Sequence, residues 1–212
     1  MKRVLEPQEV DAMLATFSKA PTSIRNRALV VVLWRTGLRI SEALDLTKRD
    51  LDRNDLRIVV RNGKGGKDRE VWMPSLSWDA LDAWLAARKK LGLGRKTPIF
   101  CTLKGDGLHP VYVRTMLKRK ATRAGIEPAR VHPHAFRHAF AVDLAQEGKP
   151  LHLIQRLLGH ANLAVTTRYL SRIDPRDVRD AAVMRDGEDE LSEVALLRRE
   201  VAALRTRLDA AA

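Results

Sequence analysis

Residues 56–74 read LRIVVRNGKGGKDREVWMP. Two runs rich in β-branched and aromatic residues, LRIVVRN and REVWMP, flank a tip with three glycines in six positions. Glycine between β-formers marks a turn, so this stretch predicts an antiparallel hairpin with a flexible tip. Its surroundings do not continue the pattern. Upstream, Pro7 followed by Val10, Met13, Leu14 and Phe17 predicts an amphipathic helix with proline in its first turn. A second helix, capped by Thr22 or Ser23, runs through ALVVVLW to Gly37 and is apolar enough to be a core element. ISEALDL makes a short helix directly after it.

Downstream, SWDALDAWLAARKKLG predicts a helix capped by Ser77 and stopped at Gly92. TPIFCT reads as a short strand. A basic helix follows from Pro110 to Arg123, then helices opened by Pro133 and Pro150 and stopped by Gly148 and Gly159. A last short helix, capped by Asn162, carries LAVTTRYL. The fold class is therefore mainly α with a small antiparallel β-sheet (α+β). Residues 1–180 form the main domain, RDGEDE lies in an acidic linker over 181–190, and 191–212 form a short heptad helix. In that helix Val194, Leu197, Val201, Leu204 and Leu208 make an a/d seam, too short to be a stable coiled coil alone. The four tryptophans are expected in the core.

Composition narrows the partners. The chain has 212 residues with 45% apolar and 31% charged, an ordinary balance for a globular protein. No apolar run reaches the ~18 residues of a membrane span, and the N-terminus lacks a secretory pattern. The lone Cys101 excludes an internal disulfide framework and fits a reducing cytoplasm. The net charge is +13. From Glu188 onward four arginines meet six acidic residues, −2, so the preceding body carries +15. Such a body points to a polyanion, because neutralising phosphates releases their counterions.

Chemistry-bearing residues sit in four short segments: Arg39 in TGLRISEALDL, Lys64 in the hairpin tip, His134 and Arg137 in HPHAFRHAFA, His160 and Tyr169 in LLGHANLAVTTRYL. Attack on a phosphodiester gathers charge on the non-bridging oxygens, which preorganised cations stabilise. Arginine suits this, with a planar fork that stays protonated. The spacing His134-x-x-Arg137 sets both side chains on adjoining faces of one helical turn. Glu42, three residues after Arg39, either orients its guanidinium or makes an ordinary helical ion pair. His138 reads as packing or support. The histidines lack the carboxylates or thiols of a convincing metal site.

These four segments, in this order and with nine residues from His160 to Tyr169, resemble the tyrosine recombinases, the phage integrases and Xer-type recombinases, over residues 5–175. The resemblance implies that family's catalytic-domain fold and its chemistry: site-specific cleavage and rejoining of double-stranded DNA through a 3′-phosphotyrosyl link, with no metal, ATP or other cofactor. Tyr169 resembles the nucleophile and His134 the residue helping to remove its proton. Arg39 and Arg137 resemble the phosphate clamp. His160 resembles the hydrogen-bond donor to a non-bridging oxygen, and Lys64, in preference to Lys67, the general acid for the departing 5′-oxygen. The resemblance further implies a tetramer on two DNA sites, with contacts through C-terminal helices, and a place in integration or on mobile elements. Most family members carry a helical clamp domain before the catalytic one. This chain begins almost directly at the catalytic domain, like the short fimbrial phase-variation recombinases or like a fragment. Rival readings are a DNA-binding regulator that keeps the fold without catalysis and a type IB topoisomerase-like relaxer.

Overall fold

The computed structural model describes residues 4–61, 68–94 and 96–159. The hairpin is present as β2 (Arg57–Val60) and β3 (Arg69–Trp72), paired antiparallel with Ile58 opposite Val71 and Val60 opposite Arg69. A two-residue strand that the sequence pattern did not announce, β1 (Leu51–Asp52), adds to the other side of β2. Successive residues of a strand face opposite ways, so Ile58, Val60 and Val71 turn one face to the core and are almost fully buried. Arg69 shares that inward face. Trp72 lies on the other and is half exposed, which corrects the expectation that all four tryptophans are core.

Around the sheet stand seven helices among the described residues: α1 (Pro7–Ala15), α2 (Pro21–Thr36), α3 (Ile40–Asp45), α4 (Ser75–Lys90), α5 (Pro110–Arg123), α6 (Pro133–Gln146) and α7 (Leu151–Leu158). The centre is α2. Ala28 to Leu33 are buried without a break, as a helix apolar on every side requires. It packs between α4 and α6. Each fully buried leucine or valine there contributes about 1.5–3 kcal/mol of transfer free energy. Trp78 and Trp84 of α4 are fully buried, and their indole N–H groups donate to Met73 O (3.1 Å) and Ile99 O (2.7 Å).

Several boundaries differ from the sequence expectation. Helix α2 starts at Pro21, and the Ser23 hydroxyl accepts from the Ser18 N–H instead of capping the helix. Helix α4 starts at Ser75 behind Pro74, two residues before Ser77. Pro21 occupies the first position of α2 with its φ preset, whereas Pro74 stands outside α4 as its extended N-cap, so both helices start upstream of the serines. TPIFCT forms no strand; Cys101 makes only an isolated bridge with Gly107. That segment is instead held by Arg88, whose guanidinium donates to Ile99 O (2.7 Å), Thr97 Oγ1 (2.8 Å) and Pro98 O. The other tyrosine, Tyr112, serves the interior: its hydroxyl accepts from Arg25 Nη2 (2.6 Å) and Asn26 Nδ2 (3.0 Å). No helix among the described residues is long and apolar enough to cross a membrane.

Candidate active site

Gly37 decides how the chain leaves α2. Its φ of +62° is left-handed, its N–H closes the helix on Leu33 O at 3.2 Å, and a Cβ there would lie 2.5 Å from Phe140 Cδ1. The reversal sends Leu38 into the core and presents Arg39 at the start of α3, in extended conformation. Glu42, one turn on, turns back to it: Oε2 accepts from the Arg39 N–H and Oε1 from Arg39 Nη1, both at 2.7 Å. The two alternatives for Glu42 are therefore one: the helical ion pair is what orients the guanidinium.

Glu42 has a second partner that sequence reading did not single out. Arg69 donates Nη1 to Oε1 (2.9 Å) and Nη2 to Oε2 (2.7 Å), a bidentate fork. Burial by itself would raise the carboxyl's pKa, but the hydrogen bonds and charges of Arg69 and Arg39 outweigh it and pull the value down to about 2. A signal did exist: Arg69 follows the period-2 alternation onto the core face of β3, where a guanidinium requires an anion.

Helix α6 begins with Pro133, and the His132 Nδ1 accepts from the Ala135 N–H at 3.1 Å. His134 is exposed at the first turn, while Arg137 is almost fully buried. Arg137 donates Nη1 to Gly37 O (2.7 Å) and Nη2 to Leu158 O (2.5 Å). It thus ties the end of α2 to the end of α7. Partial burial lowers the pKa of His134, and the nearby charges of Arg137, His132 and Arg39 push it the same way. The ring is therefore neutral at pH 7, able to accept a proton.

The last carbonyls of α7 have no partners within their own helix. Three consecutive ones receive three arginines: Leu157 O takes Arg69 Nε (3.2 Å), Leu158 O takes Arg137, and Gly159 O has Arg39 Nη2 at 3.5 Å. Positive charge at a helix C-terminus is favourable, and here it gathers three guanidinium-bearing elements at one point. Gly159, at φ +63°, makes the approach possible, since a Cβ would lie 3.0 Å from Arg69 Cδ and Nε.

Arg39, His134 and Arg137 line one open cleft of about 420 Å³. Leu38, Ile40, Ser41, His132 and Pro133 complete it, together with Arg114, which α5 contributes and the sequence reading did not single out. None of these lining residues is acidic. A basic cleft with a neutral imidazole can hold an anionic oxygen and take a proton from a neighbouring hydroxyl. Of the expected set, the structure brings together Arg39, His134 and Arg137, with Glu42 behind Arg39. His138 does not line the cleft. Lys64, His160 and Tyr169 lie outside the described residues, as do residues 181–190 and 191–212.

The family model for the phage integrase family matches residues 3–174. The chain is 42% identical over 156 residues to the tyrosine recombinase XerC of Rhodospirillum centenum, 73% of this chain and 45% of that protein. It is 36% identical over 170 residues to the tyrosine recombinase XerD of Ralstonia nicotianae, 79% of this chain and 55% of that one. The chain thus spans about half the length of the curated relatives it matches. Among solved structures it is similar to the XerA recombinase, with a TM-score of 0.75 and 30% identity over 87% of this chain and 65% of that one. It is also similar to the XerH site-specific recombinase bound to its palindromic difH substrate in a post-cleavage complex, with a TM-score of 0.72 and 28% identity over 87% of this chain and 54% of that one.

Proposed function

The chain belongs to the phage integrase family, and we propose that it carries the DNA-cleaving and rejoining activity of a tyrosine-type site-specific recombinase. The observation that carries this reading is the acid-free cleft where Arg39, His134 and Arg137 converge. Double-stranded DNA is the partner that a net charge of +13 suits. Arg39 keeps one edge of its guanidinium toward the cleft and stabilises charge on the non-bridging oxygens of the scissile phosphate. Arg137 sets the cleft's floor and adds its charge to the same phosphate. The Tyr169 hydroxyl attacks phosphorus, His134 helps to take its proton, and the 5′-oxygen leaves with a proton from Lys64. His160 donates to a non-bridging oxygen. A phenol with an ordinary pKa near 10 needs such a base or cationic surround to act at neutral pH. The phosphotyrosyl link conserves the phosphodiester's bond energy, so rejoining needs no ATP. Two sites and four protomers then exchange strands in two steps.

A nicked suicide duplex tests the chemistry, its sequence drawn from a random library by binding to the wild-type protein. The expected result is a covalent protein–DNA adduct that forms in the presence of chelator and disappears in Tyr169→Phe. An adduct that persists in that variant, or one abolished by chelation, refutes the mechanism.

A further inference from the structure

Arg69 donates its hydrogen bonds inward, to Glu42 and to Leu157 O. Its fork occupies one lone pair on each Glu42 oxygen, and Arg39 occupies the other through Nη1 and its backbone N–H. Nε is committed to Leu157 O, and the side chain is only 12% exposed. Arg69 is therefore unsuited to touch DNA. A carboxylate can accept about four hydrogen bonds. With Arg69 in place, Glu42 has no further lone pair to offer, so Arg39 keeps its second Nη away from it, beside Gly159 O and the cleft. Without Arg69, both carboxylate oxygens are open to Arg39 alone, whose fork closes on them and turns from the cleft.

We infer that Arg69 is a positioning residue: it saturates Glu42 so that Arg39 faces the cleft, and it moors β3 and the C-terminus of α7 to the same carboxylate. This rests on the reading of the cleft as a phosphate site.

The test uses the full chain with Arg69→Met, Arg69→Lys, Glu42→Gln and the double variant Arg69→Met/Glu42→Gln. Adduct formation on the selected suicide duplex should fall 10-fold or more in Arg69→Met, while the salt dependence of DNA binding stays as in the wild type. A residue that touched a phosphate would instead reduce that slope by about 0.9. The double variant should be no slower than Glu42→Gln alone. The rate of Arg69→Met relative to the wild type should also rise as pH falls through the ordinary carboxyl range, because protonating Glu42 releases Arg39 to the cleft, a response that a merely structural role would not give. If Arg69→Met fails to fold, Arg69→Lys serves, since one ammonium cannot make the fork. A reduced salt slope, multiplying defects in the double variant, or a folded Arg69→Met with wild-type rate overturns the inference. Absence of any adduct with the wild type refutes the recombinase reading instead. The positioning is then read without DNA from the ¹⁵N guanidinium signals of Arg39. Separate Nη resonances that merge in Arg69→Met support it, and unchanged resonances overturn it.

Discussion

Glu42→Gln should destabilise the protein at neutral pH, and the loss should shrink in acid. The carboxylate is 9% exposed and accepts from two arginines and a backbone N–H. Its pKa falls from an ordinary 4.5 to about 2. At ~1.36 kcal/mol per pH unit, this difference corresponds to about 3 kcal/mol of stability carried by the ionised form. A carboxyl whose pKa is lowered by folding stabilises fully above its unfolded value and loses that contribution as pH falls through the folded one. The window is thus pH 4.5 down to 2. Linkage gives a wild-type loss of about 1 kcal/mol at pH 4 and about 2 kcal/mol at pH 3 relative to neutral pH. Glutamine has no charge to lose, so the gap between the two proteins should close by those amounts. Urea unfolding at pH 7, 4 and 3, read by tryptophan fluorescence, measures it. Equal stability at pH 7, or a gap that stays constant from pH 5 to 3, would refute the account of Glu42 as a doubly paired anion.

Other consequences follow from the same geometry. Arg137→Lys replaces a fork spanning Gly37 O and Leu158 O with one ammonium; unfolding free energy should drop by ~2 kcal/mol and adduct formation should be lost, whereas wild-type stability would contradict the bridging role. The acid limb of the cleavage rate assigned to His134 should lie below the ordinary imidazole value of 6.5, because partial burial and the charges of Arg137, His132 and Arg39 disfavour its proton; a pH–rate profile of adduct formation with a limb at or above 6.5 contradicts this. Gly37→Ala introduces both a left-handed φ and a 2.5 Å contact with Phe140, so a loss of roughly 2–4 kcal/mol and a Tm lower by roughly 4–16 °C are expected by calorimetry.

The elements of the fold were largely legible because their signals are local. Glycines between β-branched runs announce the β2–β3 turn, and ALVVVLW is apolar on every side, so it had to be the buried helix. Arg39, His134 and Arg137 were legible from their short segments and the order of those segments. Arg69, Arg114 and His132 were not singled out. Each acquires its meaning from a neighbour distant in the chain or from a shared cleft. Arg69 matters through Glu42, 27 residues away, and Arg114 through a cleft whose other walls come from α3 and α6. Trp72 was misjudged because a strand's period says only that two faces differ, and which face is covered depends on what packs there.

By itself, the sequence determined the helices, the hairpin, the basic body and the residue types a phosphate site requires, since propensity, periodicity and charge are properties of neighbouring residues. Tertiary structure decided what each cation does. It set Arg137 into the interior on two helix-end carbonyls, left Arg39 at the cleft, and turned Arg69 inward onto Glu42. A guanidinium's role depends on which acceptors reach it and how far water is excluded, and only packing brings the ends of α2, α6 and α7 together to settle both.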